Sequence, residues 1–189
     1  MSTTASSGAA PQRARARRRQ RAAVAAQLIA RAPHAVGAID WETLDGAPEW
    51  MACDAERLEA LQHQVGALVL APELRLWIVA PRLSAAQRAL GSPLLHALLA
   101  LPEGEMLPRD VTPAPRIERA QQVAPSLRAC GASVLLAALP SGELRQAAAL
   151  LLAPTRPSPM AGALARSLVV RAQQLAAQLS PSNVHEVVA

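Results

Sequence analysis

The segment DAERLEALQHQVGALV, residues 54–69, places Leu58, Leu61, Val65, Leu68 and Val69 at spacings of three and four. That period puts them on one face of an α-helix. Asp54 stands where an N-cap is needed, and Glu56 follows in the first turn, where a carboxylate suits the helix dipole. Pro72 is read as the end of this helix. No stretch of the chain shows strand alternation, so the helical reading extends outward from here.

Upstream, residues 13–32 carry Val24, Leu28 and Ile29 on one helical face, Arg on the others, and end at Pro33. Residues 34–53 hold Gly37, Gly46 and Pro48 around Trp41 and Trp50 and read as a loop or a set of short turns. The two Trp are expected to pin that loop to the body, and an exposed binding patch is the other reading. Downstream, a short helix is expected over 73–79, closed by Pro81. Ser84 with Gln87 reads as a capping box for another ending at Gly91. Ser92-Pro93 then opens a helix over 94–101. Residues 102–115 contain four Pro and read as an irregular crossing loop. Further helices follow at 116–123, at 127–139 behind Pro125-Ser126, and at 142–152 behind Pro140-Ser141. A last helix behind Ser158-Pro159 runs to about residue 179, with Leu164, Leu168, Arg171, Leu175 and Leu179 as its stripe.

The expected fold class is therefore all-α, a compact bundle of short to medium helices punctuated by Pro. The organisation read from the chain is a disordered Arg-rich arm over 1–21, a single helical domain over 22–180 and a frayed tail over 181–189. Composition agrees with helices: hydrophobic residues make up 51%, there is no Phe or Tyr, and Trp41, Trp50 and Trp77 are the three aromatic residues. Leu, Ala and Val must fill the core, and Leu and Ala are strong helix formers.

The net charge of +5 belongs to one place. Six Arg lie between Arg13 and Arg21, and the first 21 residues contain no acid. Outside that run 13 Arg face 14 acidic residues, so the body is close to neutral. A folded nucleic-acid-binding face spreads its positive charge, and single-strand binding needs aromatic stacking that this composition barely offers. A basic run followed by the apolar residues 22–30 also mimics a signal peptide. The apolar part is short, Ala-rich and interrupted by Arg31, so an arm passing into a first helix is the better reading.

Catalytic motifs are lacking: there is no Gly-rich phosphate loop, GxSxG or HExxH. His34, His63, His96 and His185 are scattered, and Cys53 and Cys130 lie outside any CxxC, so reduced thiols and packed or surface histidines are expected. Glu103 and Glu105 flank Gly104 in the Pro-rich loop; they read as solvated charges before they read as an acid–base pair. No cofactor or metal is expected, and the chain is read as a non-enzyme.

One stretch resembles a known family. Residues 64–78, QVGALVLAPELRLWI, carry a Gly, an apolar helix, then Leu74-Arg75 with Ile78 three residues on. The continuation holds Arg82-Leu83, then Arg88-Ala89-Leu90-Gly91, then Leu94-Leu95 and Leu98. A second block runs from Gly131-Ala132-Ser133-Val134-Leu135 through Leu139-Pro140 to Leu144-Arg145. This order is similar to that of the SctK/YscK family, accessory proteins of the bacterial type III secretion sorting platform, including plant-pathogen-type relatives, and the resemblance covers about residues 40–155. It implies an all-helical, cytosolic, non-catalytic adaptor linking the pods of the platform to the inner-membrane ring. The implied partners are the pod protein (SctQ type), the cytoplasmic domain of the ring protein (SctD type) and, indirectly, the stator and ATPase.

An adaptor needs two surfaces on one rigid body. Candidate contact residues are Trp41, Trp50, Arg75, Trp77, Glu103, Glu105 and Arg109, on the Trp-bearing turns, the Leu-Arg segment and the Pro-rich loop, because loops carry recognition residues and Trp and Arg dominate interface hot spots. Arg75 also reads as a capping or snorkelling residue. Two other functions compete. A nucleic-acid-binding or regulatory protein would act through the Arg-rich arm with salt-sensitive affinity, and an enzyme would need a pocket with converging polar groups.

Overall fold

Residues 54–69 do form the helix that their spacing predicts. In the computed structural model, which describes residues 9–38, 40–102, 117–140, 142–152 and 160–179, helix α2 spans Ala55–Val69. The backbone N–H of Arg57 donates to Asp54 Oδ1 at 2.8 Å, the N-cap bond expected of that residue. Leu58, Leu61, Val65, Leu68 and Val69 are all buried.

The protein is all-α, with no strand among the described residues. The other α-helices are α1 (Ala9–Arg31), α3 (Ala71–Leu74), α4 (Ala80–Leu90), α5 (Ser92–Leu99), α6 (Val123–Ala138), α7 (Gly142–Leu151) and α8 (Gly162–Gln178). Short 3-10 turns cover Pro33–Ala38, Trp41–Gly46, Glu49–Ala52 and Ala120–Gln122. No helix of the described residues is long and apolar enough to cross a membrane.

Where a single helical domain behind a disordered arm was expected, the described residues divide into two compact units. The first comprises Met1–Leu58 with Ser141–Leu152, and the second Glu59–Pro140 with Ala153–Ala189. Helix α1 begins at Ala9, so it takes in most of the segment read as a disordered arm. Ala and Arg both have high helix propensity, and a helix already fixed by packing at Val24 and Leu28 propagates at low cost into such a sequence.

In the first unit α1 packs against the 3-10 turns that follow it and against α7. Val24, Leu28, Leu44, Trp50, Met51, Leu144 and Ala148 are buried there. Ile29, placed on the apolar face from sequence, is 51% exposed instead. Val24 and Leu28 are four apart and define the buried line, and Ile29 is turned away from it by one residue. Arg31 donates from Nη1 to the Leu151 carbonyl at 3.2 Å, tying the end of α1 to the end of α7. Thr43 Oγ1 donates to Glu143 Oε2 at 3.1 Å, and Arg21 pairs with Asp45 at 3.2 Å.

In the second unit α6 packs on α8, and α4 packs on α5 and α6. The part of α2 beyond Leu58 crosses α6 backbone to backbone. A Cβ on Gly66 would overlap the Leu127 carbonyl and sit 2.8 Å from its carbon. A Cβ on Gly131 would overlap the Gln62 carbonyl and sit 2.7 Å from its carbon. Only Gly at both positions allows this approach. In α8 the buried face is Ala165, Leu168, Val169 and Ala172; of the expected stripe Leu168 lies on it, whereas Leu164, Arg171, Leu175 and Leu179 do not.

Several boundaries shift because Pro opens helices here rather than closing them. Pro81 lies in the first turn of α4, where its missing N–H costs nothing. Ser84 consequently sits inside α4 and caps nothing, and the side chain of Gln87 donates to Ser92 Oγ at 2.7 Å. The α4–α5 junction turns on Gly91 at φ 79, the left-handed region that Gly enters freely. Pro125, read as opening a helix, does fall within the first turn of α6, which starts at Val123.

Candidate functional site

The segment between α3 and α4 presents three large apolar side chains outward. It begins from buried anchors, Leu70, Ala71 and Leu74. After Leu74 the chain tightens into i→i+3 bonds, with Leu76 N–H donating to the Glu73 carbonyl at 3.0 Å and Trp77 N–H to the Leu74 carbonyl at 3.2 Å. It then extends through Val79 into α4. The helix expected over 73–79 is thus broken after Leu74, and Leu76, Trp77, Ile78 and Val79 are fixed in a non-helical turn.

Two Arg side chains hold that turn. Arg75 donates from Nη2 to the carbonyls of Leu99, at 2.7 Å, and of Leu101. These lie at the C-terminal end of α5, where helix carbonyls lack intrahelical partners. Arg75 therefore caps α5 rather than facing a partner. The Arg82 guanidinium carbon lies 5.5 Å from the centroid of the Trp77 ring, and its Nη1 donates to the Ile117 carbonyl at 2.9 Å. Trp77 itself is buried. The cation–π contact and the buried ring lock the turn from beneath.

Above this base, Leu76 is 54%, Ile78 93% and Val79 48% exposed. These are three exposed large apolar side chains within four residues, on either side of the buried Trp77. Arg75 and Trp77, the contact candidates of this segment, are both turned inward, and their neighbours are exposed. A continuous apolar run, Leu74 to Val79 broken only by Arg75, has no period from which to read which side chains face out.

The other candidates divide. Trp50 is buried, packed in the turn that lies against α1, as the pinning reading expects. Trp41 is 36% exposed at the start of its turn, which Asp40 caps by accepting from the Glu42 N–H at 3.0 Å. Glu103, Glu105 and Arg109 lie outside the described residues.

No group of three or more His, Cys, Asp and Glu side chains able to hold a metal ion occurs among the described residues. Burial pushes the Cys130 thiol up to about 11, so it is protonated and unreactive at neutral pH. Burial likewise raises the Cys53 thiol, against the opposing pull of Arg57. His63 is buried on α2, and burial holds its pKa below the ordinary 6.5, opposed by the Glu59 carboxylate. Glu59 in turn pairs with Arg128 of α6 at 3.4 Å.

The His63 shift has a stability consequence. The unfolded chain binds the proton at a higher pH than the folded one, so acid favours unfolding. His63's contribution is complete above pH 6.5 and is lost as the pH falls through the lower folded value. Urea midpoints at neutral pH and at about one unit below the ordinary His pKa are expected to differ more for the parent than for His63→Gln. Equal differences would show that His63 is not the group responsible.

No family model, curated protein or solved structure matches this chain.

Proposed function

We propose that the chain is a non-catalytic helical adaptor of a bacterial type III secretion system, linking the cytosolic pods to the inner-membrane ring. Two things support this reading. One is the similarity of residues 64–78, 82–98 and 131–145 to the SctK/YscK pattern. The other, which carries it, is the apolar surface of Leu76, Ile78 and Val79, exposed on an all-α body and braced by Trp77, Arg75 and Arg82. An adaptor needs a rigid, pre-organised contact surface, because ordering side chains on binding subtracts from affinity.

The partner taken by this surface is the pod protein of the SctQ type, with the ring protein's cytoplasmic domain (SctD type) on a second face. The site of action is then the cytosolic side of the inner membrane. Co-expression with the pod protein from the same secretion system, followed by co-purification at moderate salt, tests the reading. Ile78→Asp is expected to leave the unfolding midpoint unchanged, because the residue is 93% exposed. It is also expected to weaken pod binding by roughly 30-fold, the effect of truncating an interface hot spot of about 2 kcal/mol. A well-folded parent that associates with neither the pod protein nor the ring domain would sink the proposal. Binding indifferent to Ile78→Asp would move the contact away from this turn.

A further inference from the structure

We infer that the N-terminal half of α1 is a docking element for double-stranded DNA, gripping the phosphates on both sides of the major groove without reading sequence. The inference rests on where the Arg side chains stand around the helix. Ala14, Arg15, Ala16, Arg17, Arg18 and Arg19 are all exposed, six consecutive residues that together cover every direction around the axis. Residues 14–19 therefore stand clear of the folded body, and cover begins at Gln20 and Arg21, both partly buried.

At roughly 100° per residue, Arg15, Arg18 and Arg19 share one sector, and Arg17 points about 150° away from its middle. No ion pair of these four Arg occurs among the described residues, while Arg21, the next along, is paired with Asp45 at 3.2 Å. Like charges three and four residues apart destabilise a helix, so the Arg15, Arg18 and Arg19 cluster opposes the helix that carries it until an anion screens it.

The shape of this charge selects the occupant. A membrane surface is planar and meets one side of a helix, and a helix lying in it buries large apolar side chains opposite the basic face. Here the residues between the Arg are Ala, and no large apolar side chain stands among residues 14–19. The DNA major groove, about 12 Å wide, accepts a helix and flanks it with a phosphate strand on each side. Guanidinium groups on opposite sides of one helix suit that geometry. The major groove of duplex RNA is deep and narrow and does not admit it. Contacts of this kind fix position and carry no base information.

The test uses the full chain and a short mixed-sequence DNA duplex carrying a fluorophore, followed by anisotropy over a salt series. With four phosphates neutralised, the slope of log Kobs against log salt is expected near −3.6, or about −0.9 per contact. Replacing Arg15, Arg17, Arg18 and Arg19 together by Ala is expected to abolish binding while retaining helical circular dichroism, since Ala is the better helix former. The deciding comparison is between single variants. Arg17→Ala and Arg15→Ala are each expected to lower the slope by about 1. Binding that Arg17→Ala leaves unchanged, stronger binding to phosphatidylglycerol vesicles or to duplex RNA, or absence of DNA binding at low salt would each overturn the inference. Ile78→Asp is expected to bind DNA as the parent does, so this outcome is separable from the fate of the adaptor reading.

Discussion

Gly131→Ala is expected to destabilise the second unit by about 3 kcal/mol, the upper part of the range for overpacking a tight interior. Ala is ordinarily favoured over Gly inside a helix by about 1 kcal/mol, so the sign of this prediction depends wholly on the crossing of α2 and α6. The new methyl group would overlap the Gln62 carbonyl, and Gln62 Cα lies 2.9 Å from the same point. Backbone of a buried helix cannot swing aside as a side-chain tip can. The two helices must separate instead, and separation opens the interface around Leu127 and Val65, both fully buried. Gly66→Ala meets the same obstacle from the other side, against Leu127. Gly142→Ala is the reference, since nothing lies within 4 Å of its added methyl. Urea unfolding followed by helical circular dichroism measures all three. If Gly131→Ala unfolds at the midpoint of Gly142→Ala or above it, the close crossing does not exist.

Trp50→Ala is expected to cost about 3–5 kcal/mol, the usual loss for deleting a fully packed large aromatic side chain. Trp50 is 3% exposed beside Met51 and lies in the turn that packs on α1. Removing it leaves a cavity that a 3-10 turn, short of backbone bonds to neighbouring elements, cannot close by itself. Trp41→Ala is expected to cost less, about 1 kcal/mol, because Trp41 is 36% exposed. The two variants, unfolded side by side in urea, therefore separate the anchor from the surface residue. Equal losses would mean that Trp41 shares the anchoring role.

Much of the fold is legible in the chain because the strongest signals are local. The Leu58-Leu61-Val65-Leu68 period and the Asp54 cap appear in the structure as read. The failures cluster where two local rules give the same pattern. Pro marks either the end of one helix or the first turn of the next, and Pro72 and Pro81, read as ends, took the second role. Adjacent apolar residues such as Leu28 and Ile29 leave the helical phase open by one step, and packing alone chose Leu28.

The candidate site was less legible. Arg75 reads as a contact or, the more common case, as a capping or snorkelling residue, and it is bonded to the carbonyls of Leu99 and Leu101, more than twenty residues away in sequence. Trp77 suggests a hot spot by its chemistry, yet the ring is covered and lies 5.5 Å from the Arg82 guanidinium carbon. Two residues read from the sequence as contacts are those that brace the exposed turn. The glycines at 66 and 131 stood in both blocks of the family resemblance as helix-associated Gly, but their meeting is a tertiary fact that no spacing reveals.

The first unit is built from two pieces of chain, Met1–Leu58 and Ser141–Leu152, with most of the second unit between them. On the ribosome this reverses the order of completion. Leu58 emerges roughly 80 residues ahead of α7, an interval of roughly 4–16 s at ordinary synthesis rates. Throughout that time the surface α1 offers to α7 is open, and the second unit also waits for α8. The earlier of the two pieces is therefore sealed late, and chaperone access during translation falls on it.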